Sequence, residues 1–253
     1  MPPHSGNETA SLSARACVRL LAHVVSSVSQ EGADAIDNQR TTQIIPLGAQ
    51  ALDKAATLLT AAFFDYPMFT TYFPDTKRRS RILPWYLRNV LRCALRYGEA
   101  LTTRDTSGIL FALPPGHTSL SLWEYATTGF LFTPFVLGLG CYLRSMRCEG
   151  FVDRTQKEVM GAAPHYYLWG VAVDPEHQAR GVGLALMSAF LARVDTERMP
   201  VYLETHDRNN VSYYGRHGFE LVREAAMSKP DLRVWCMRRE PAGGMQTGGA
   251  NLG

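Results

Sequence analysis

The segment Val201 to Phe219, VYLETHDRNNVSYYGRHGF, gathers side chains able to move protons: Glu204, His206, Tyr213 and Tyr214. A carboxylate can accept a proton and a tyrosine hydroxyl can give one. His206 is the nearby group whose ordinary titration falls close to neutral pH. Each also has a structural role open to it. Glu204 can pair with an arginine, His206 can sit in a solvated loop, and Tyr213 can be a core aromatic.

Upstream, Gln178-Ala179-Arg180-Gly181-Val182-Gly183 sets two glycines around one valine. At the start of a helix the free backbone N–H groups and the macrodipole attract an anion, and glycine lets a phosphate approach the main chain. Close helix packing is the other use of such a pair. No Gly-Lys-Ser/Thr follows to hold magnesium. The third glycine and distant acid of a dinucleotide fold are missing as well.

The elements that must position these residues follow from periodicity. LWGVAVDP reads as a strand ended by Pro175, and Leu184, Met187, Leu191 and Val194 recur at helical spacing, so the glycines occupy a strand-loop-helix junction. VYLETH alternates as a strand, with Tyr202 and Glu204 on one face and Val201, Leu203 and Thr205 on the other. An Asn cap, a short helix carrying Tyr213 and Tyr214, and a Gly218 stop come next. Earlier, TTQIIPLG predicts a short strand, and Leu52, Ala55, Leu59 and Ala62 or Phe63 predict a helix. Asp75 is placed to cap a helix that Pro84 should kink or restart and Gly98 should stop. Strands around 100–103 and 109–113 are separated by a turn at 105–108.

The order strand, Q-x-x-G-x-G, helix, LET-x-x-x-x-N-x-x-x-Y-x-x-x-GF resembles the GCN5-related N-acetyltransferase (GNAT) superfamily. LWGVAVDPEHQARGVGLAL, VYLETHDRNN, YYGRHGF and VWCMRREPAG look most like its puromycin N-acetyltransferase group. The likeness covers about 41–241 and is strongest from His165 onward. It implies an α/β fold: a mixed, mostly antiparallel sheet of about six to seven strands flanked by helices, with a V-shaped splay between the two central strands. It also implies acetyl-CoA as acyl donor, with no metal. The backbone of Val171, Ala172 and Val173 would run beside the pantetheine arm, and Gln178, Ala179, Arg180, Gly181, Val182 and Gly183 would cradle the pyrophosphate. Asn210 would contact the donor near the thioester, Tyr214 would protonate the leaving thiolate, and Glu204 would take the amine proton. Gly215 and His217 depart from the family pattern; Gly215, inside the short helix, should cost about 1 kcal/mol against alanine.

The acceptor should lie between the early helices and the apolar stretch Ser119 to Leu143. Phe64, Tyr66, Trp123 and Tyr125, with Phe63, Trp85 and Phe130, would line its pocket. Such a pocket suits a small hydrophobic or aromatic amine better than a peptide. Peptide N-acetylation and a non-catalytic acetyl-CoA sensor are the competing readings. Glu124, Pro134 and three glycines break the apolar stretch below the roughly 18 residues a membrane span needs, so it reads as buried helix or pocket wall.

The chain has 253 residues, 46% of them hydrophobic, enough for a packed core. A net charge of +3 is far from the basic stripe of a nucleic-acid binder. Five scattered cysteines, without metal-ligand spacing, read as free thiols in a reducing, cytoplasmic setting; Cys141 and Cys148 read as buried small hydrophobes. The expected organisation is a mobile extension over 1–40, the acetyltransferase domain over 41–240 with a substrate-side helical insertion at 119–160, and a Gly-rich tail over 241–253. Arg15 and Arg19 among serines and alanines also carry a mitochondrial-transit look, which Glu8 and Glu31 oppose.

Overall fold

A computed structural model describes residues 43–242. The expectations for 1–40, for Cys17 and for the tail beyond 242 lie outside the described residues. Seven strands, β1 (Ile44–Pro46), β2 (Glu99–Thr103), β3 (Gly108–Leu113), β4 (Tyr166–Val173), β5 (Val201–Thr205), β6 (Glu220–Ser228) and β7 (Asp231–Arg239), form one sheet in the order β1-β2-β3-β4-β5-β7-β6. Every pair is antiparallel except β4 with β5. The helices are α1 (Leu52–Phe63), α2 (Pro67–Tyr72), α3 (Thr76–Tyr97), α4 (Leu122–Thr127), α5 (Thr133–Met160), α6 (Val182–Thr196) and α7 (Asn209–Gly215).

Alternation along the strands divides the core between the two faces of the sheet. Ile109, Phe111, Leu113 and Tyr202 join the cluster built with Leu59, Phe73, Leu87 and Leu91 of the early helical region. Their neighbours Leu110, Ala112, Val201 and Leu203 join Leu186, Phe190 and Val194 of α6. On β5, Glu204 therefore shares the face of Tyr202, as its spacing predicts. Arg239 clamps the second layer: its guanidinium bonds both Asp195 carboxylate oxygens at 2.6 and 2.8 Å, and Nε donates to the His217 carbonyl at 3.0 Å.

Local signals for the third helix hold at both ends. Asp75 Oδ1 accepts from Arg78 N at 2.7 Å, and Gly98 ends the helix. The helix does not restart at Pro84; α3 runs through it. The carbonyl that proline deprives of a donor belongs to Ser80, an exposed residue.

Three other expectations are corrected. Leu184 is exposed, while Met187, Leu191 and Val194 are buried as their spacing predicts, together with Val182, Leu186 and Phe190. Asp207 replaces asparagine at the start of α7, its Oδ1 accepting from Asn209 N at 2.9 Å, and Gly215 is the helix's last residue rather than an interior one. The stretch Ser119 to Leu143 is helical but not buried: Leu122, Trp123, Leu131, Phe132, Phe135 and Leu139 are all more than half exposed. A helix needs only one apolar stripe for the core. In α5 that stripe is Leu137, Cys141, Ser145, Cys148 and Val152, so Cys141 and Cys148 are buried as expected. No helix among the described residues is long and apolar enough to cross a membrane.

Candidate active site at the parting of two strands

The parallel strands β4 and β5 pair only at Tyr166 with Val201 and Tyr167 with Tyr202. Beyond Tyr167 the edge of β4 facing β5 has no partner strand, while its other edge stays on β3. A register shift opposite Phe111 and Ala112 leaves Trp169 as the extra residue on β4, and such a bulge bends its strand. Gly170 allows this, because a Cβ there would come within 2.5 Å of the Phe111 ring.

A cavity of about 100 Å3 opens where the strands part. Its walls include Phe63, Tyr66, Phe69, Tyr86, Phe111, Tyr167, Trp169 and Tyr214, and its polar atoms come from Glu149, Glu204, His206 and Asn210. The described residues thus bring Glu204, Asn210, Tyr214, Tyr66 and Val171 together, as the sequence predicts. Five acceptor candidates, Phe64, Trp85, Trp123, Tyr125 and Phe130, stand outside the lining. Trp123 is 76% exposed, and Phe64 lies under the Arg79 guanidinium at 4.7 Å. Tyr125 packs on Phe130, which packs in turn on Tyr86, so it stands one ring behind the wall.

Glu204 has no arginine partner among the described residues. Tyr167 donates its hydroxyl to Oε1, while Oε2 is buried and accepts no hydrogen bond. Burial, with a smaller contribution from the charge of Glu149, pushes its carboxyl up to about 8, within the range of a proton acceptor working near neutral pH. Tyr214 is 9% exposed and packs edge-on against Tyr213 and Phe219. Burial holds its pKa far above the ordinary tyrosine value, so the hydroxyl stays a proton donor.

His206 is corrected on both counts. It is buried rather than solvated, its Nδ1 lies 3.0 Å from the Arg233 carbonyl, and burial pushes it down to about 4, too weak a base for an ammonium proton. Its backbone N–H donates to Tyr66 Oη at 2.7 Å. Tyr66 Oη meets Thr205 Oγ1 at 3.0 Å, and Thr205 Oγ1 accepts from Asn210 Nδ2 at 3.1 Å, which fixes Tyr66 and Asn210 at one end of the cavity.

The glycine loop follows β4. Asp174 Oδ1 accepts from Glu176 N at 2.9 Å to turn the chain, and Ala179 and Gly181 take φ of 62° and 80°. Gln178, Ala179, Arg180 and Gly181 are exposed, and a Cβ on Gly181 would meet nothing within 4 Å. Gly181 N-caps α6 without a side-chain acceptor, which leaves the first-turn N–H groups free of any side-chain partner. Gly183 faces inward, where a Cβ would lie 3.0 Å from Tyr213 Oη, so it serves packing as well. Val171, Ala172 and Val173 pair with Leu110, Ile109 and Gly108. Spacing missed Glu149 and Tyr167. Glu149 follows Cys148 on the buried stripe of α5, and a carboxylate beside that stripe was the available signal.

The model of the acetyltransferase (GNAT) family matches residues 129–219. An uncharacterized N-acetyltransferase of Schizosaccharomyces pombe is 22% identical over 200 residues, covering 76% of this chain and 81% of that protein. Among solved structures, a protein described as histone acetyltransferase HPA2 and related acetyltransferase from Corynebacterium glutamicum superposes with a TM-score of 0.54 at 20% identity, over 79% of this chain and 96% of that one. Arylalkylamine N-acetyltransferase 2 from Aedes aegypti does so with a TM-score of 0.50 at 10% identity, over 78% and 98%. These structures share the fold of this chain, and the match over 129–219 makes that part of it similar to acetyltransferases of the GNAT family.

Proposed function

We propose that the protein transfers an acetyl group from acetyl-CoA to the primary amine of a small molecule with an apolar body, by direct attack with both substrates bound. The observation that carries this reading is the joint presence of Glu204 and Tyr214 on one aromatic cavity at the parting of β4 and β5. Acetyl-CoA supplies the acetyl group as an activated thioester.

The residues present fit that donor. The loop Gln178, Ala179, Arg180, Gly181, Val182 and Gly183, exposed as far as Gly181, offers uncapped N–H groups and a guanidinium to the pyrophosphate, with Gly181 keeping the approach clear. The unpaired edge of β4 at Val171, Ala172 and Val173 offers backbone groups to the pantetheine amides, and N–H groups at the bulge can face the carbonyl oxygen as it gains charge. Asn210 borders the thioester end of this path.

The ionised Glu204 carboxylate accepts the proton released as the amine nitrogen bonds to the acetyl carbon. As the carbon–sulfur bond breaks, the Tyr214 hydroxyl gives its proton to sulfur. Juxtaposition of amine and thioester supplies much of the acceleration, since no covalent enzyme intermediate is needed. The aromatic lining favours an apolar acceptor over a peptide. The likeness to the puromycin N-acetyltransferase group suggests detoxification or resistance as the use of the reaction.

Thiol release from acetyl-CoA across a panel of puromycin, arylalkyl amines, polyamines and peptides tests the reading. Release with small amines supports it. Release confined to peptides moves the assignment to peptide acetylation, and tight acetyl-CoA binding with no release leaves a sensor.

A further inference from the structure

The cavity holds a second carboxylate that the proposed transfer does not use. Glu149 lies on α5 across from the strands, and Tyr72 and Tyr86 both donate their hydroxyls to its Oε1, at 2.8 and 3.0 Å. Tyr72 is wholly buried and holds the carboxylate from behind, while Tyr86 and Phe69 line the cavity, their rings 5.9 Å apart. No Lys, Arg or His of the described residues pairs with Glu149 or with Glu204. An ionised, partly buried carboxylate without a counter-charge is costly, and two on one cavity repel each other once both are ionised. Glu204, whose Oε2 is buried without a hydrogen-bond partner, lines the same cavity.

We infer that the acceptor carries two cationic groups. One is the primary amine that reacts beside Glu204 and Tyr214, and the other is an ammonium or guanidinium that remains charged on Glu149 against the faces of Phe69 and Tyr86. This deepens the proposed transfer and rests on it. An apolar spacer between the two nitrogens fits the aromatic rings that line the cavity together with both carboxylates. A cation on Glu149 gains a charge-assisted hydrogen bond and aromatic faces, and it turns the repulsion between the carboxylates into attraction for a dication. An acceptor with a single amine leaves Glu149 uncompensated. Glu149 is a specificity residue in this scheme, because it holds the far end of the substrate and takes no part in the proton transfers.

The test compares linear α,ω-diamines and aminoalkylguanidines with monoamines of matched length in the thiol-release assay, for the wild type and for Glu149→Gln. The glutamine keeps an oxygen for Tyr72 and Tyr86. The wild type is expected to favour the dications at least tenfold in kcat/KM, mainly through KM, and Glu149→Gln is expected to bring that ratio close to one. Equal use of monoamines by the wild type, or an unchanged ratio in the variant, overturns the inference while the transferase reading stands. If no amine releases thiol, the transferase reading fails. Calorimetric titration of a diamine then decides for the site by itself: binding weakened at least tenfold by Glu149→Gln upholds it, and no binding or equal binding removes it.

Discussion

At the scale of single residues the catalytic argument rests on two groups shifted by the same cause. Burial keeps Glu204 protonated up to about 8 and keeps the Tyr214 hydroxyl from ionising. The base works only once Glu204 has lost its proton. With an acceptor whose own amine titrates well below neutrality, kcat/KM should therefore rise about tenfold per pH unit and level off above about 8. Glu204→Gln should flatten that rise and lower the plateau about 10²–10⁴-fold. A retained acid limb in the variant would assign the titration to another group. Tyr214→Phe should slow turnover at least tenfold while donor affinity, read by equilibrium titration of acetyl-CoA, changes less than twofold. An undiminished rate would remove Tyr214 from the acid role. His206 shows how place overrides type: a residue chosen for its ordinary titration became a weak base because its ring is buried against the Arg233 carbonyl.

At the scale of elements, two glycines of the site region separate packing from propensity. Gly215 ends α7 with nothing within 4 Å of a Cβ, so Gly215→Ala should be neutral or stabilising by up to about 1 kcal/mol in urea unfolding. Gly170 lies against the Phe111 ring in the bulged part of β4. Gly170→Ala should cost about 1–3 kcal/mol through overpacking and also reduce turnover, since both residues line the cavity. A fully stable Gly170→Ala protein would show that the ring has room to move. The same distinction explains what the sequence made legible. Strand alternation placed Tyr202 and Glu204 on one face, and the loop's glycines located the strand-helix junction, because both signals are local. The side of α5 that meets the sheet depends on partners distant in the chain. Apolar composition alone therefore led to a buried stretch where Leu131, Phe132, Phe135 and Leu139 are exposed, and it hid Glu149, whose neighbours Tyr72 and Tyr86 lie on other helices.

At the scale of the whole molecule, the buried groups of the site tie stability to pH in opposite directions. Glu204 has an ordinary value of 4.5 and a folded value of about 8. Between these the unfolded chain is ionised and the folded one is not. Its contribution is thus complete below 4.5 and is lost as pH rises to about 8. His206 runs the other way, from an ordinary 6.5 down to about 4: its contribution is present above 6.5 and is lost as pH falls. The two slopes oppose each other between 4.5 and 6.5. Stability should be flat there and should decline on the alkaline side by about 1–2 kcal/mol up to pH 8, allowing for the partial exposure of Glu204. Burial also raises Glu149, which adds a loss of the same sign as pH rises. Urea unfolding from pH 5 to pH 9 reads the curve directly. Glu204→Gln should remove at least half of the alkaline loss, and a wild type that instead grows more stable toward pH 8 would mean that Glu204 is ionised in the folded chain. The cost belongs to the cavity: the burial that raises Glu204 also draws down stability in the pH range where the proposed base would become active.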